Sequence, residues 1–226
     1  MVNYIDEKSI RDEVTVFLKN QDVLTTTERG VTSSTAASLG TLSSATTTLI
    51  NRSNIRNIRR VSVGNTAKTF GTDYTVDYYY NDSGTRKCQI TWLASATGAG
   101  TVTYDYGASE KIYPNFPRTD MTLASYPRIG LEVIDIDTEP YGYGNVNKSN
   151  VDISFTVIDD SKDNITDIMS DIRSAIVNNQ SEFHYLKLVK PRRTGPVVPV
   201  TDGKAKDKLF SKSFDIRGYF SIENNN

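Results

Sequence analysis

The chain has 226 residues, 37% of them hydrophobic and 23% charged, enough for one core of ordinary size or a core plus a small satellite domain. Its 26 basic and 27 acidic side chains nearly cancel, and a net charge of -1 argues against both a strongly basic nucleic-acid binder and a highly charged disordered chain. The lone cysteine, Cys88, excludes an internal disulfide or a cysteine metal cluster, and the lone histidine, His184, excludes a multi-histidine metal site.

The N-terminal residues carry acids early and have no apolar stretch, so no signal peptide is expected. No run approaches the roughly 20 apolar residues of a membrane span. The expectation is a soluble protein, made in a cytoplasm and without a membrane partner. Ile10, Val14, Phe17 and Leu18 form one apolar stripe at helical spacing, with Asp6 and Glu7 near the favoured N-terminal end. Residues 25–49 are rich in Ser and Thr and read as a loose connection, although Thr46–Ile50 has strand character.

Residues 50–108 read as a β domain. Val61 and Val63 precede a turn at Gly64 and Asn65, and Tyr74–Tyr80 is a strand followed by the hairpin signal Asn81–Gly84. Cys88, Ile90 and Trp92 alternate on one face, Gly98–Gly100 reads as a turn, and Val102, Tyr104 and Tyr106 alternate again. Short strands at this spacing predict a small sandwich or barrel. Pro114, Pro117 and Pro127, with Tyr113, Phe116 and Tyr126 among them, mark an extended connection pinned by aromatics.

Beyond it, Ile129, Leu131 and Val133 alternate, and Ile134 and Ile136 do so with a shift of face. Tyr141–Asn145 reads as a turn, and Val151, Ile153, Phe155 and Val157 as a half-buried antiparallel strand. The clearest helix follows, with Ile165, Ile168, Met169, Ile172, Ile176 and Val177 on its stripe and Asp160, Ser161 and Asp163 as candidate caps. Phe183, Tyr185 and Leu188 open a strand, Pro191 to Pro199 mark a long polar loop, and Phe214 to Phe220 form a last strand. The tail Asn224–Asn226 is expected to be disordered.

The predicted fold class is α+β: a mainly antiparallel sheet covered by two helices, with an inserted small β-sandwich-like domain. Residues 1–24 and 109–226 form the α+β core, 25–49 the connection, and 50–108 the insert.

No motif marks catalysis. His184 sits between Phe183 and Tyr185 with no Ser, Cys or Asp motif pointing to it, which favours a structural role. Cys88 reads as a buried inert thiol. The acid pairs Asp135/Asp137 and Asp159/Asp160 can bind a hard cation, or in principle serve glycoside hydrolysis, but a solvated strand face is favoured. Gly142 and Gly144 make a turn, not a phosphate cradle. The clusters Arg52, Arg56, Arg59, Arg60 and Lys187, Lys190, Arg192, Arg193 suit protein or solvent as well as phosphate. No catalytic, cofactor-binding or metal-binding residue is therefore assigned, and the expectation is a protein that is not an enzyme. Tyr78, Tyr79, Tyr80 and Trp92 leave a carbohydrate- or receptor-binding role for the β domain as a competing reading, though alternation puts Tyr79 opposite Tyr78 and Tyr80.

The element order resembles the tail terminator, or tail completion, proteins of long-tailed phages and tailed archaeal viruses. These have an N-terminal helix, a strand pair, a long amphipathic helix such as 162–179 and a closing strand pair. The segments Lys111–Arg118 and Tyr126–Ile129 are similar to the lead-in to the first core strand of virion neck proteins. Gly71–Tyr78, Ile90–Trp92 and Val102–Tyr106 look like small β modules that decorate phage structural proteins. The resemblance implies a ring, usually of six copies, at the head–tail junction of a virion. It would sit between the last ring of tail-tube protein and the head-side connector or stopper protein. DNA would pass through its lumen without specific binding. A head-closure (stopper) or tail-tube ring is the alternative within the same class. Tyr113, Phe116, Tyr141, Tyr143, Arg192 and Arg193 are the candidate interface residues, the first two in the proline-rich segment 111–128 and the others on the turn 139–147 and the loop 191–203, which are the candidates for reaching a neighbour or an adjoining ring.

Overall fold

The computed structural model describes residues 7–114, 126–140, 146–200 and 209–223. The chain divides into two compact units: a split unit, Met1–Leu24 with Lys111–Asn226, and a continuous unit, Thr25–Glu110. The protein is mainly antiparallel sheet with few helices.

The split unit begins with α1 (Glu7–Asn20), which buries Ile10, Val14, Phe17 and Leu18 as the stripe predicts. Its sheet contains β7 (Ile112–Tyr113), β8 (Arg128–Pro140), β9 (Val146–Asp159), β10 (Lys187–Thr194), β11 (Val198–Val200) and β12 (Leu209–Glu223). The strand order is β10-β12-β9-β8-β7, with β11 also on β12. Between β9 and β10 runs α3 (Lys162–Asn178), numbered after the short α2 of the continuous unit, and a 3-10 turn at Gln180–Glu182 follows it. The Ser161 side chain accepts from the Asn164 N–H at 3.3 Å and starts the helix.

One apolar cluster collects Ile10, Val14, Phe17 and Leu18 of α1, Ile165, Ile168, Met169, Ile172 and Ile176 of α3, and the inward residues of β8, β9 and β12. Phe17 stacks on Phe183 at 4.1 Å, and Phe155 on Phe214 at 6.1 Å. Val177 departs from the expected stripe: it is 49% exposed, because it follows Ile176 directly and so lies about 100° round the helix from it, off the inward arc. The face shift read between Val133 and Ile134 is a β-bulge: Val133 pairs with Ile153 and Asp135 with Asp152, leaving Ile134 between them.

The polar loop expected from Pro191 onward is instead the second half of β10, followed by β11. Pro191 is accommodated because β10 is an edge strand paired with β12 alone among the described residues, so a missing N–H need not break a ladder. Phe183 and Tyr185 precede that strand, and β10 starts at Lys187.

The continuous unit holds α2 (Thr26–Arg29) and a second sheet of β1 (Thr32–Ser33), β2 (Ala37–Ile50), β3 (Ile55–Val63), β4 (Thr66–Lys68), β5 (Tyr74–Asp82) and β6 (Thr85–Tyr106). The loose connection expected over 25–49 is folded: α2 carries a capping box between Thr25 and Glu28, and β2 pairs with β6 from Ala37↔Val102 to Ile50↔Cys88. Its Ser and Thr read as linker because half of β2 is exposed and only Leu42 and Ile50 are buried. The unit therefore starts at Thr25, not at residue 50.

The turn expected at Gly98–Gly100 lies inside the long β6. There the strand changes partner on one edge, from β5 (through Tyr74↔Trp92) to β3 (from Val63↔Gly100). Gly98 adopts φ 124°, and a Cβ on Gly100 would meet the Leu39 Cβ at 3.0 Å. The glycines thus serve a bend and a close approach. The predicted hairpin is present, with φ 53° at Ser83 and 85° at Gly84, as a two-residue primed turn requires. Cys88, Ile90 and Trp92 are buried in the second core, with Val61, Val102 and Tyr104.

Candidate functional site

The six candidate interface residues fall in different places. Phe116, Tyr141 and Tyr143 lie outside the described residues. Tyr113 is half-buried on the two-residue β7, which pairs in parallel with Ile129–Gly130 of β8. Arg192 and Arg193 are exposed on the edge strand β10.

That edge belongs to a patterned surface. Residues directly opposite one another in antiparallel strands share a face. The face of the split unit's sheet that carries Val151, Ile153 and Phe155 lines the apolar cluster. The other face carries three cross-strand rows over β8, β9, β12 and β10. The first runs Glu132, Ser154, Asp215, Arg193; the second Asp135, Asp152, Arg217, Lys190; the third Asp137, Asn150, Tyr219, Lys187. Each row begins with an acid on β8 and ends with a base on β10.

The middle of the rows is internally satisfied. The Arg217 guanidinium donates to Asp152 Oδ1 at 2.6 Å and also to its Oδ2, and Ser154 Oγ donates to Asp215 Oδ1 at 2.8 Å. The Arg217 pairing holds the Asp152 carboxyl below the ordinary range, with Arg192 adding to the effect. Glu132, Asp135 and Asp137, and at the far side Lys187, Lys190, Arg192 and Arg193, are exposed. Each edge also shows apolar side chains: Ile134 (57% exposed) and Ile136 (38%) on β8, and Leu188 (65%) on β10.

Buried ionisable groups elsewhere serve the fold. Glu13 of α1 is 4% exposed and accepts from the backbone N–H groups of His184, Tyr185 (2.7 Å) and Leu186 (3.2 Å), fixing the approach to β10. Burial pushes its carboxyl above the ordinary range, and the three donors only partly offset this. His184 is thereby held through its backbone, and its imidazole, lowered by burial and by Lys187, packs edge-on against Tyr185 at 4.7 Å. Asp159 accepts from Asn164 and from the Asp160 N–H at the start of α3; burial first, and then Asp160, push it upward.

In the continuous unit, fully buried Arg29 donates to Asp105 Oδ2 at 2.7 Å and to both oxygens of Glu110, at 3.1 and 2.8 Å. Arg59 and Ser33 each donate to Asp105 Oδ1 at 2.6 Å. Burial raises the Asp105 carboxyl, but these donors outweigh it and hold it below the ordinary range. The network ties the beginning of this unit to its end. Arg52 lies over the Tyr106 ring at 3.9 Å, and Arg56 donates to the carbonyls of Gly107 and Ala108. The first basic cluster is therefore largely engaged within its own unit.

The proposed stacking platform is not assembled among the described residues. Trp92 is buried and donates to Thr48 Oγ1 at 2.8 Å, Tyr78 Oη accepts from the Ile58 N–H at 3.1 Å, and Tyr79 alone of the four is strongly exposed. Burial raises the Cys88 thiol to about 12, with Asp77 adding to it, which leaves a poor nucleophile. Among the described residues no group of three or more His, Cys, Asp or Glu is placed to hold a metal ion, and no helix is long and apolar enough to cross a membrane.

No protein-family model matches the chain, and no curated protein matches its sequence.

Proposed function

We propose that the chain is a non-enzymatic virion structural protein. It forms a ring at the head–tail junction, ends tail-tube polymerisation there and joins the tube to the head-side connector. In this reading α1 and α3 cover one face of the split unit's sheet, and the continuous unit is an inserted β-sandwich-like domain. The observation that carries it is the order α1, the β8–β9 pair, α3 and β12 around one core, with Thr25–Glu110 set between the first helix and the sheet. That order resembles the tail terminator arrangement.

The physical demands of a ring agree with it. A ring uses heterologous contacts between unlike faces, and needs no active site. The near-neutral net charge suits a protein that lets DNA slide past without gripping phosphates. Negative-stain microscopy of the purified chain at high concentration separates the related roles. Single closed rings are the expected result. Long tubes would transfer the chain to the tail-tube class.

A further inference from the structure

The split unit's sheet ends in two exposed edges of opposite charge. β10 pairs with β12 alone, and β8 beyond Gly130 pairs with β9 alone, among the described residues. On the polar face β8 presents Glu132, Asp135 and Asp137, and β10 presents Lys187, Lys190 and Arg193. Edge charges of one sign keep copies of a protein apart. Opposite signs on opposite edges do the reverse: they repel like edges and attract unlike ones. The exposed Ile134 and Ile136 on one edge and Leu188 on the other add apolar surface that a partner would cover.

We infer that the partner is a second copy of this chain, and that the β8 edge of one copy docks along the β10 edge of the next through side chains, Pro191 and the bulges leaving no unbroken ladder for the sheet to continue. The strand directions allow it. β10 runs against β12, β12 against β9 and β9 against β8, so β8 and β10 are opposed within one copy. Copies set side by side in the same orientation therefore meet as an antiparallel pair, with acids and bases on the same face. The bulges at Val133/Asp135, Lys187/Lys190 and Pro191/Arg193 interrupt the ladder. Side chains therefore carry the contact. Because the two edges differ, the contact is heterologous and repeats until it closes or runs on. The inference rests on the ring reading for that closure; the edge contact itself stands on the charge pattern.

Two charge-reversed chains test it: Glu132→Lys/Asp135→Lys/Asp137→Lys, and Lys190→Glu/Arg192→Glu/Arg193→Glu. Sedimentation velocity is run on the wild type, on each variant and on their equimolar mixture. The expected result is assembly by the wild type, none by either variant alone, and restored assembly in the mixture, where each acidic edge again meets a basic one. Restoration also shows that both variants fold. Assembly should weaken as salt rises from 0.1 M to 1 M, where the screening length shrinks from about 10 to about 3 Å. A wild type that stays monomeric, variants that assemble alone, or a folded mixture that stays apart would each overturn the edge contact. Variants that still form rings alone would leave the ring reading standing; localisation in particles tests that reading separately.

Discussion

The two units each bury an acid, and they satisfy it by opposite means. The split unit surrounds Glu13 with backbone N–H groups, which are dipoles, and the carboxyl stays raised by burial. The continuous unit surrounds Asp105 with two guanidinium groups, which are charges, and the carboxyl is lowered. Dipoles hold the Glu13 carboxyl at a chain crossing with backbone donors in place of a guanidinium. Charges let the continuous unit tie Thr25–Glu110 at its base, at the risk of stranding a buried ion if one partner is lost.

Arg29→Met should break the comparison most strongly. It strands Asp105 and Glu110 without Arg29, and removing one partner of a buried pair costs about 3–5 kcal/mol. Urea unfolding followed by Trp92 fluorescence reads the continuous unit, which holds the only tryptophan. The midpoint should fall there while helical circular dichroism, dominated by α1 and α3 of the split unit, moves little. Equal losses in both signals would mean that the network supports the whole chain.

Glu13→Gln should act the other way round. It weakens acceptors for three backbone N–H groups, that of Leu186 buried and those of His184 and Tyr185 partly so, at about 1–3 kcal/mol. The helical signal should shift first, and a dominant shift in Trp92 fluorescence would count against the assignment.

The pH response sharpens the contrast. Glu13 and Asp159 have raised folded-state values, so their contribution is complete below their unfolded values and is lost as pH rises through the folded ones. Asp105 is lowered, so its contribution is present above its unfolded value and is lost as pH falls through the folded one. Asp152 is also lowered, but it is partly exposed and paired at the surface, so it weighs less. Acidification should open the continuous unit before the split one. An acid titration in which the helical signal is lost before Trp92 fluorescence changes would contradict this.

Ser161→Ala should give the smallest effect. It removes a single cap of α3 at a cost of about 1 kcal/mol, confined to the split unit and read as a small drop in its thermal midpoint.

How far the sequence could be read follows the same division. The stripes of α1 and α3 and the alternation of β9 are local patterns, and apart from Val177 they appear where the periods place them. The continuous unit was harder because its signals mislead locally. Exposed Ser and Thr on β2 look like linker, and glycines that bend β6 look like a turn. Glu13 carries a faint signal, an acid set one residue before Val14 on the apolar arc of α1, whereas nothing around Arg29 announces its burial. The acids of β8 and the bases of β10 are visible as separate runs. That they share one face and occupy opposite edges depends on the strand order β10-β12-β9-β8, which no local pattern encodes.

The proposed ring lies at the junction of head and tail. Its most direct test is immunogold labelling of purified particles with an antibody to this chain, read by negative-stain microscopy. The account predicts gold at that junction. Gold along the tail or at its tip, or particles without gold beside a lysate that contains the protein, would contradict it.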